Sequence, residues 1–415
     1  MPRGLGDIPD LRLEVIQKLV TNWMTSPNLA LQNLFPVSAS PSRTIKWESM
    51  EGGRGLTPFK PPGAPTPESY PLGVAQHSAE AAFWGEKMYF DEEFLNNLRK
   101  EGTEVQYLTT QQRLARELNA IVNRANRRKE FMFAKMLADG SFSYTERTGT
   151  KISVDYGVPS ANQVSLTADY KWSTGTSADI TGDVIDAKKA VQEACNGNAN
   201  YLFVNSAVFK YMAKDSSIQT LLQKSAFGNG DLFAGAKNSI VGANPAVMAS
   251  LLGIDNIVVY DERYEVRAYL TGAVTADSTT AISVDDPSDF EAGETLRFVD
   301  VSAGTYEDET IASVDAEAGT VTVSTAPSTS YKAGEDYVLM RKYFIPSTKA
   351  IFVATTVDGM PTAEYKQAPF GNMRNYGLVA DRWETKDPEG IYIRVQDKGL
   401  PVLYQRDAVY QLTVA

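Results

Sequence analysis

An α+β fold carrying an inserted small all-β domain is predicted for this 415-residue chain from three observations. Residues 107–140 hold one long helical repeat that ends in glycine. Residues 178–266 alternate helical and strand-like runs. Residues 270–340 contain only short alternating runs cut by Gly, Pro and Asp. Length suggests about two to three domains, and a hydrophobic content of 43% supports a substantial core.

The elements follow in order. Residues 1–43 read as an arm bearing an amphipathic helix, with Leu13, Ile16, Leu19, Val20 and Trp23 at helical spacing and Ser26-Pro27-Asn28 stopping the run. Residues 38–71 hold seven prolines and four glycines in 34 positions, with strand-like pieces only at the ends, and in between a proline density that forbids both helix and central strand. The flanking RTIKWESM and PLGVAQHSAEAAFWGEKMYF suit strands, so residues 44–90 are expected to form a long two-stranded loop with an irregular tip. Its apolar content is low for packing on its own subunit.

A short helix around Phe94, Leu95 and Leu98 precedes the long one, whose apolar stripe is Leu114, Leu118, Ile121, Val122, Ala125, Met132, Phe133 and Met136; Gly140 ends it. FSYTERTGTKISVDYGVP then alternates like a hairpin. Strands YLFVNS and NIVVYDERYEV interleave with three helical runs in a mixed α/β domain. The closing stretch from Asp381 gives two or three long strands, expected to pair with the hairpin near 141–158.

Between these lies the β module. Residues 271–340 carry fourteen Asp or Glu against Arg297 and Lys332, a net of −12, so the rest of the chain holds about +1 of the total −11. The flanking VVYDERYEVRAY and RKYFIPSTKAIFVAT read as consecutive strands of the domain that the module interrupts, and the module as a small barrel or sandwich. Its acidic clusters DDPSD and TYEDET offer oxygen ligands, yet neither matches a twelve-residue calcium loop, and a solvated acidic surface is the expectation.

Several function classes are excluded on composition. A single cysteine, Cys195, and a single histidine, His77, leave no disulfide framework, no Cys/His zinc site and no convincing Ser-His-Asp or Cys-His arrangement. His77 falls in a Pro-flanked region that reads as loop, and is expected to be a surface or packing residue. EGGRGLTP lacks the Lys-Ser/Thr ending of a phosphate-binding loop, and FGNGDLFAGAKN reads as a surface loop. No cofactor, metal site or catalytic residue is therefore expected. No apolar run reaches the roughly 20 residues needed to cross a bilayer, and the first residues lack a signal-peptide core, so a cytosolic product without a membrane partner is expected.

The long helix is unusual for so acidic a chain: it sets Arg113, Arg116, Arg124, Arg127, Arg128, Lys129 and Lys135 against Glu117, Glu130 and, at its very end, Asp139. Sequence-specific nucleic-acid binding lacks a turn-helix partner and a stacking surface. The remaining alternatives are a solvated face, or charges set between subunits and over an enclosed polyanion by non-specific electrostatics.

Taken in order, these elements resemble the major capsid proteins of tailed double-stranded DNA bacteriophages, the Hong Kong 97 fold, and within it the lambda-type family. The residues carrying the likeness are NRANRRKEFMFAKMLADGSFSYTERTGTKISVDYGVP, similar to that family's spine helix and strand pair, and NIVVYDERYEV with YFIPSTKAIFVAT, similar to its late strands. The ending WETKDPEGIYIRVQDKGLPVLYQRDAVYQLTVA resembles the family's close. The resemblance implies an arm (1–43), an extended loop (44–90), a peripheral domain (91–177, spine helix 107–139, closing strands 371–415) and an axial domain (178–269 and 341–370) interrupted at 270–340.

It further implies a non-enzymatic structural subunit that self-assembles as hexamers and pentamers into an icosahedral head assembled in the host cytoplasm. The expected partners are other copies, a scaffold, a portal, a decoration protein and packaged double-stranded DNA. The spine-helix cations would meet neighbours or genome, and Trp47, Arg54, Phe59 and Lys60 of the extended loop would touch an adjacent subunit. The alternatives are an encapsulin-like cellular shell protein and a phage surface fibre or adhesin with a sugar-binding β module.

Overall fold

The computed structural model describes residues 16–17, 29–50, 56–63, 65–66, 74–91, 104–145, 151–173, 177–224, 244–287, 289–371, 375–386 and 389–415. The chain divides into two compact units, residues 1–133, 194–197 and 355–408 in the first, and 134–193, 198–354 and 409–415 in the second. The architecture is α+β.

In the first unit, strand β2 (Thr44–Met50) pairs antiparallel with β3 (Val74–Glu80) as the two arms of the extended loop. The next strand, β4 (Ala82–Asp91), leaves the loop and joins a five-stranded sheet with β1 (Val37–Ala39), β19 (Ala363–Gln367), β20 (Val379–Lys386) and β21 (Glu389–Leu403). A small hairpin, β17 (Thr356–Val357) with β18 (Met360–Pro361), precedes β19. Strand β21 is the sheet's backbone: its residues pair with β20, with β4 and, from Gly399 on, with β19. Its alternation puts Ile391, Ile393 and Val395 on one buried face, where they pack with Phe90, Ala380 and the apolar stripe Leu118, Ile121 and Val122 of helix α1 (Glu104–Asp139). Burying each such side chain contributes about 1.5–3 kcal/mol.

Helix α1 ends where the sequence places its stop. Gly140 takes φ +66°, a left-handed conformation costly for any side chain, and its N–H donates to Met136 O at 3.2 Å. In the second unit Lys349 Nζ donates to Ala138 O at 2.6 Å and Gln411 Nε2 to Leu137 O at 2.9 Å, satisfying carbonyls that the helix end leaves open.

The second unit continues with hairpin β5 (Ser141–Thr145) and β6 (Lys151–Asp155), which among the described residues pair only with each other. The expectation that the closing strands join this hairpin is thus corrected: β21 is taken up by β4, β19 and β20, and the last strand, β22 (Val409–Thr413), lies between β7 (Gln163–Ser165) and β16 (Lys349–Val353). That sheet continues through β8 (Tyr201–Val204) to β9 (Asn256–Val259). Ala350, Ile351, Phe352 and Val353 are fully buried, the continuous apolar run of a central strand. Helices α2 (Ile180–Cys195), α3 (Ser206–Lys214), α4 (Ser216–Lys224) and α5 (Pro245–Leu252) accompany it. The sequence NPAVMASLLG explains α5: the Asn244 side chain caps Ala246 N–H at 3.0 Å, Pro245 starts the helix and Gly253 closes it.

The β module forms a six-stranded sheet ordered β10 (Arg263–Tyr269), β15 (Tyr337–Tyr343), β12 (Thr295–Asp300), β13 (Thr305–Asp315), β14 (Thr320–Val323) and β11 (Ala281–Ser283). A bridge between Leu270 and Val284 links its first and last members, closing a small barrel around Leu296, Phe298, Ile311, Val321, Val338 and Met340. Two corrections follow. The acidic composition starts near 270, but β10 and β15 pair over their full length, so the barrel begins at Arg263 and ends at Tyr343. The strands of the interrupted sheet are β9 and β16, and they are not adjacent, because β8 lies between them.

Candidate functional site

The cations of α1 do not act alike. Residues Glu130–Phe133 are all buried, so the later part of the helix has no continuous solvent face, and any charge there needs a partner. Lys129 Nζ sits 2.6 Å from Asp397 Oδ2, with the Asp397 side chain fully buried. The same ammonium lies 5.4 Å from the Tyr365 ring centroid. Glu130, also fully buried, accepts from Leu31 N–H at 2.8 Å and Gln32 N–H at 3.0 Å, and so ties the arm to the helix. Arg128 stacks on Phe131 at 5.5 Å.

In the second unit Lys135 bridges Asp139 at 3.1 Å and Glu291 at 2.9 Å. Lys342 pairs with Glu291 and, at 2.8 Å, with Glu294; Lys349 holds Asp139 at 3.0 Å. This chain of ion pairs fastens the barrel segment carrying Glu291 and Glu294 to the end of α1. Burial alone would raise the Asp139 and Glu291 carboxyls, but the surrounding lysines outweigh it and hold both below the usual carboxylate range.

A carboxyl depressed in the folded state stabilises fully above its unfolded value, about pH 4, and that contribution disappears as pH falls through the lower folded value. Acidification toward about pH 3 is therefore expected to lower the unassembled subunit's unfolding temperature, and Lys349→Met to flatten this acid limb. Thermal melts across that range check it; identical acid limbs in variant and parent would count against the network. The partial exposure of these groups keeps the effect below that of a buried pair.

Lys129 and Lys135 therefore do not belong to an outward basic face: their charges are met within the chain. Arg116, Arg124 and Arg127 are the exposed ones. At 3.6 residues per turn they fall within about 80° of one another around the helix axis. Arg124 is bound to Glu86 at 2.6 Å, a solvent-exposed pair worth little in itself. The side chain of Arg113 lies outside the described residues.

The extended loop also separates into two parts. Ile45, Trp47 and Ser49 alternate into a buried face of β2, so its base packs on its own chain and Trp47 is not open to a neighbour. Trp47 stacks on His77 at 5.5 Å, and His77 Nε2 lies 3.0 Å from Ser49 Oγ. His77 is accordingly a strand residue opposite Trp47, not a loop residue, and the Ser49 hydroxyl it meets is buried away from any substrate. At the tip, Leu56 and Phe59 are fully exposed, while Lys60 Nζ donates to Thr66 Oγ1 at 2.9 Å. Arg54 lies outside the described residues.

The acidic clusters of the barrel are largely engaged by the barrel itself. Asp285 accepts from Tyr269 N–H at 2.8 Å, Glu307 from Ser328 N–H at 2.7 Å, and Asp308 pairs with Arg297 at 2.7 Å. Among the described residues no group of three or more His, Cys, Asp or Glu side chains is arranged to hold a metal ion, and no helix is long and apolar enough to cross a membrane.

Sequence reasoning missed Asp139, Glu291 and Asp397 as partners, and took Glu130 for a counter-charge when its carboxylate accepts from the arm's backbone. Asp397 had a signal: it continues the inward series Ile391, Ile393, Val395 at period two.

Residues 14–285 match the family described as phage major capsid protein E. No curated protein matches the chain. Similar solved structures include a phage-related protein from Bordetella bronchiseptica RB50, 12% identical with a TM-score of 0.49, covering 97% of this chain and 96% of that one. A putative capsid protein of a prophage of E. coli CFT073 is 12% identical with a TM-score of 0.48, covering 97% and 98%. The capsid of cyanophage P-SCSP1u is 9% identical with a TM-score of 0.45, covering 92% and 86%.

Proposed function

We propose, because this chain belongs to the phage major capsid protein E family, that its copies close as hexamers and pentamers into an icosahedral head around double-stranded DNA. The match over residues 14–285 carries this conclusion. The chain is a shell-forming structural protein, and the finer picture follows from the disposition of its surfaces. The exposed tip of the extended loop, with Leu56 and Phe59 in water, supplies apolar area for a neighbouring subunit to bury. Arg116, Arg124 and Arg127 supply a non-specific attraction for phosphate or for a neighbour's carboxylates. No enzymatic role is assigned, since the single histidine is packed against Trp47 and the single cysteine, Cys195, is buried.

The peripheral domain is assigned to the sheet of β4, β19, β20 and β21 with α1, and the axial domain to the sheet of β7, β22, β16, β8 and β9. A scaffold and a portal complete the assembly in the host cytoplasm. Electron microscopy of the protein, alone and produced together with its scaffold, tests the reading: closed shells are expected, and monomers or open fibres in both preparations would overturn it. Particles taken from lysed host cells should contain nuclease-protected double-stranded DNA. Shells filled with a protein cargo instead would favour a cellular compartment.

A further inference from the structure

We propose that the outer wall of the barrel formed by β10, β15, β12 and β13 is a contact surface for the acidic surface of the same barrel in an adjacent copy of this chain. The inference rests on the shell-forming reading, which brings identical barrels to fixed spacings.

The wall follows from strand register. Arg263 stands opposite Tyr343 and Tyr269 opposite Tyr337 across β10 and β15; Val299 stands opposite Tyr337 and Tyr306 on the two sides of β12. Because side chains alternate, these residues with Arg267, Arg297 and Arg341 stand on one side of four neighbouring strands. Ala268, Val338, Met340, Leu296 and Phe298 fill the other, buried side.

The outer residues are organised rather than loosely solvated. Three guanidinium groups lie over tyrosine rings: Arg263 over Tyr343 at 4.1 Å, Arg267 over Tyr337 at 4.3 Å and Arg297 over Tyr306 at 3.9 Å. Tyr269 meets the edge of Tyr337 at 6.0 Å. Tyr306 and Tyr269 nevertheless remain 63% and 48% exposed. Arginine and tyrosine held in rigid stacks are the side chains that dominate interface cores, because little further entropy is lost when a partner covers them.

Charge selects the partner. Four arginines on this wall face two carboxylates, Glu265, bound to Arg341 at 2.6 Å, and Asp308, bound to Arg297 at 2.7 Å. The wall is thus a positive island on a barrel whose residues 263–343 carry net −9. Two such walls set face to face would place arginine against arginine. The complement is acidic surface elsewhere on the barrel, such as the β13–β14 hairpin with exposed Asp315 and Glu317. That contact is heterologous, the head-to-tail kind that closes into rings, and it relieves the repulsion that like-charged barrels would otherwise impose.

The test is cryo-electron microscopy of shells of the full chain, combined with the Arg263→Glu/Arg267→Glu variant. Expected are wild-type shells in which this wall abuts carboxylates of a neighbouring barrel, and variant shells that lose that density and fall apart at lower salt than the parent. A Tyr306→Cys/Glu317→Cys chain should yield disulfide-linked ladders, the buried Cys195 staying silent. A wall open to solvent, or covered by a different protein or a glycan, would overturn the inference while leaving the shell reading intact. Wild-type protein that forms no shell, alone or with its scaffold, would sink the shell reading itself. Variant subunits that fail to fold leave the wild-type map and the cysteine pair to decide.

Discussion

Shells will not form from a chain from which residues 52–68 have been excised, although its subunit will fold. The stem of the loop is self-sufficient: β2 and β3 pair over seven positions from Thr44↔Glu80 to Met50↔Val74. Ile45, Trp47 and Ser49 fix one face of it in the subunit. Removing the tip leaves six residues between Met50 and Val74, within the ordinary length of connections between elements. What disappears is the exposed tip, with Leu56 and Phe59 wholly in water. Burying each against a neighbour contributes about 1.5–3 kcal/mol per copy, repeated at every contact of a shell. Light scattering and electron microscopy should show subunits without particles, while thermal melts of the unassembled protein stay close to the parent. Normal particles from the excised chain would refute the assignment of the tip to assembly. A Leu56→Ala/Phe59→Ala chain should fall between the two, with fewer and less heat-resistant shells.

The parts of this molecule that could be read from the sequence are those whose cause is local. Helix α1 was legible because its apolar stripe persists over many turns and Gly140 supplies the left-handed stop. The strands of the barrel were legible because polar and apolar residues alternate between turn residues. Long-range choices were not legible. Nothing local says that β4 leaves the extended loop for β21, or that β22 inserts between β7 and β16, since both are decided by which strand edges remain open. Composition marked the acidic segment but not the barrel's border, because β10 and β15 are ordinary mixed sequences recruited by pairing. The cations of α1 were misjudged for a different reason. A helical wheel assumes one solvent face, and the buried run from Glu130 through Phe133 abolishes it, so Lys129 points at Asp397 rather than at water.

That buried pair is where a single substitution should cost most. Asp397 is fully buried and Lys129 nearly so, 2.6 Å apart, with the other carboxylate oxygen accepting Lys398 N–H at 2.7 Å. Next to them is the buried Tyr365, whose phenol is pushed far above its usual range by burial and, in addition, by the Asp397 charge. It therefore stays neutral and cannot substitute as the counter-charge. Removing one partner strands the other's charge in a poorly solvated site. Asp397→Ala and Lys129→Met are each expected to destabilise the unassembled subunit by about 3–5 kcal/mol. Against a typical native stability of about 5–15 kcal/mol, that is enough to lower subunit yield as well as the denaturation midpoint. The double variant Lys129→Met/Asp397→Leu removes both charges and puts apolar side chains of similar length and branching in their place, so it should recover much of the loss, because a buried pair and a well-packed apolar replacement differ little in net stability. Urea denaturation of the four proteins measures the coupling directly. If the single variants lose less than about 1 kcal/mol, the range of an exposed pair, then the two charges are solvated and the pair does not hold α1 to β21.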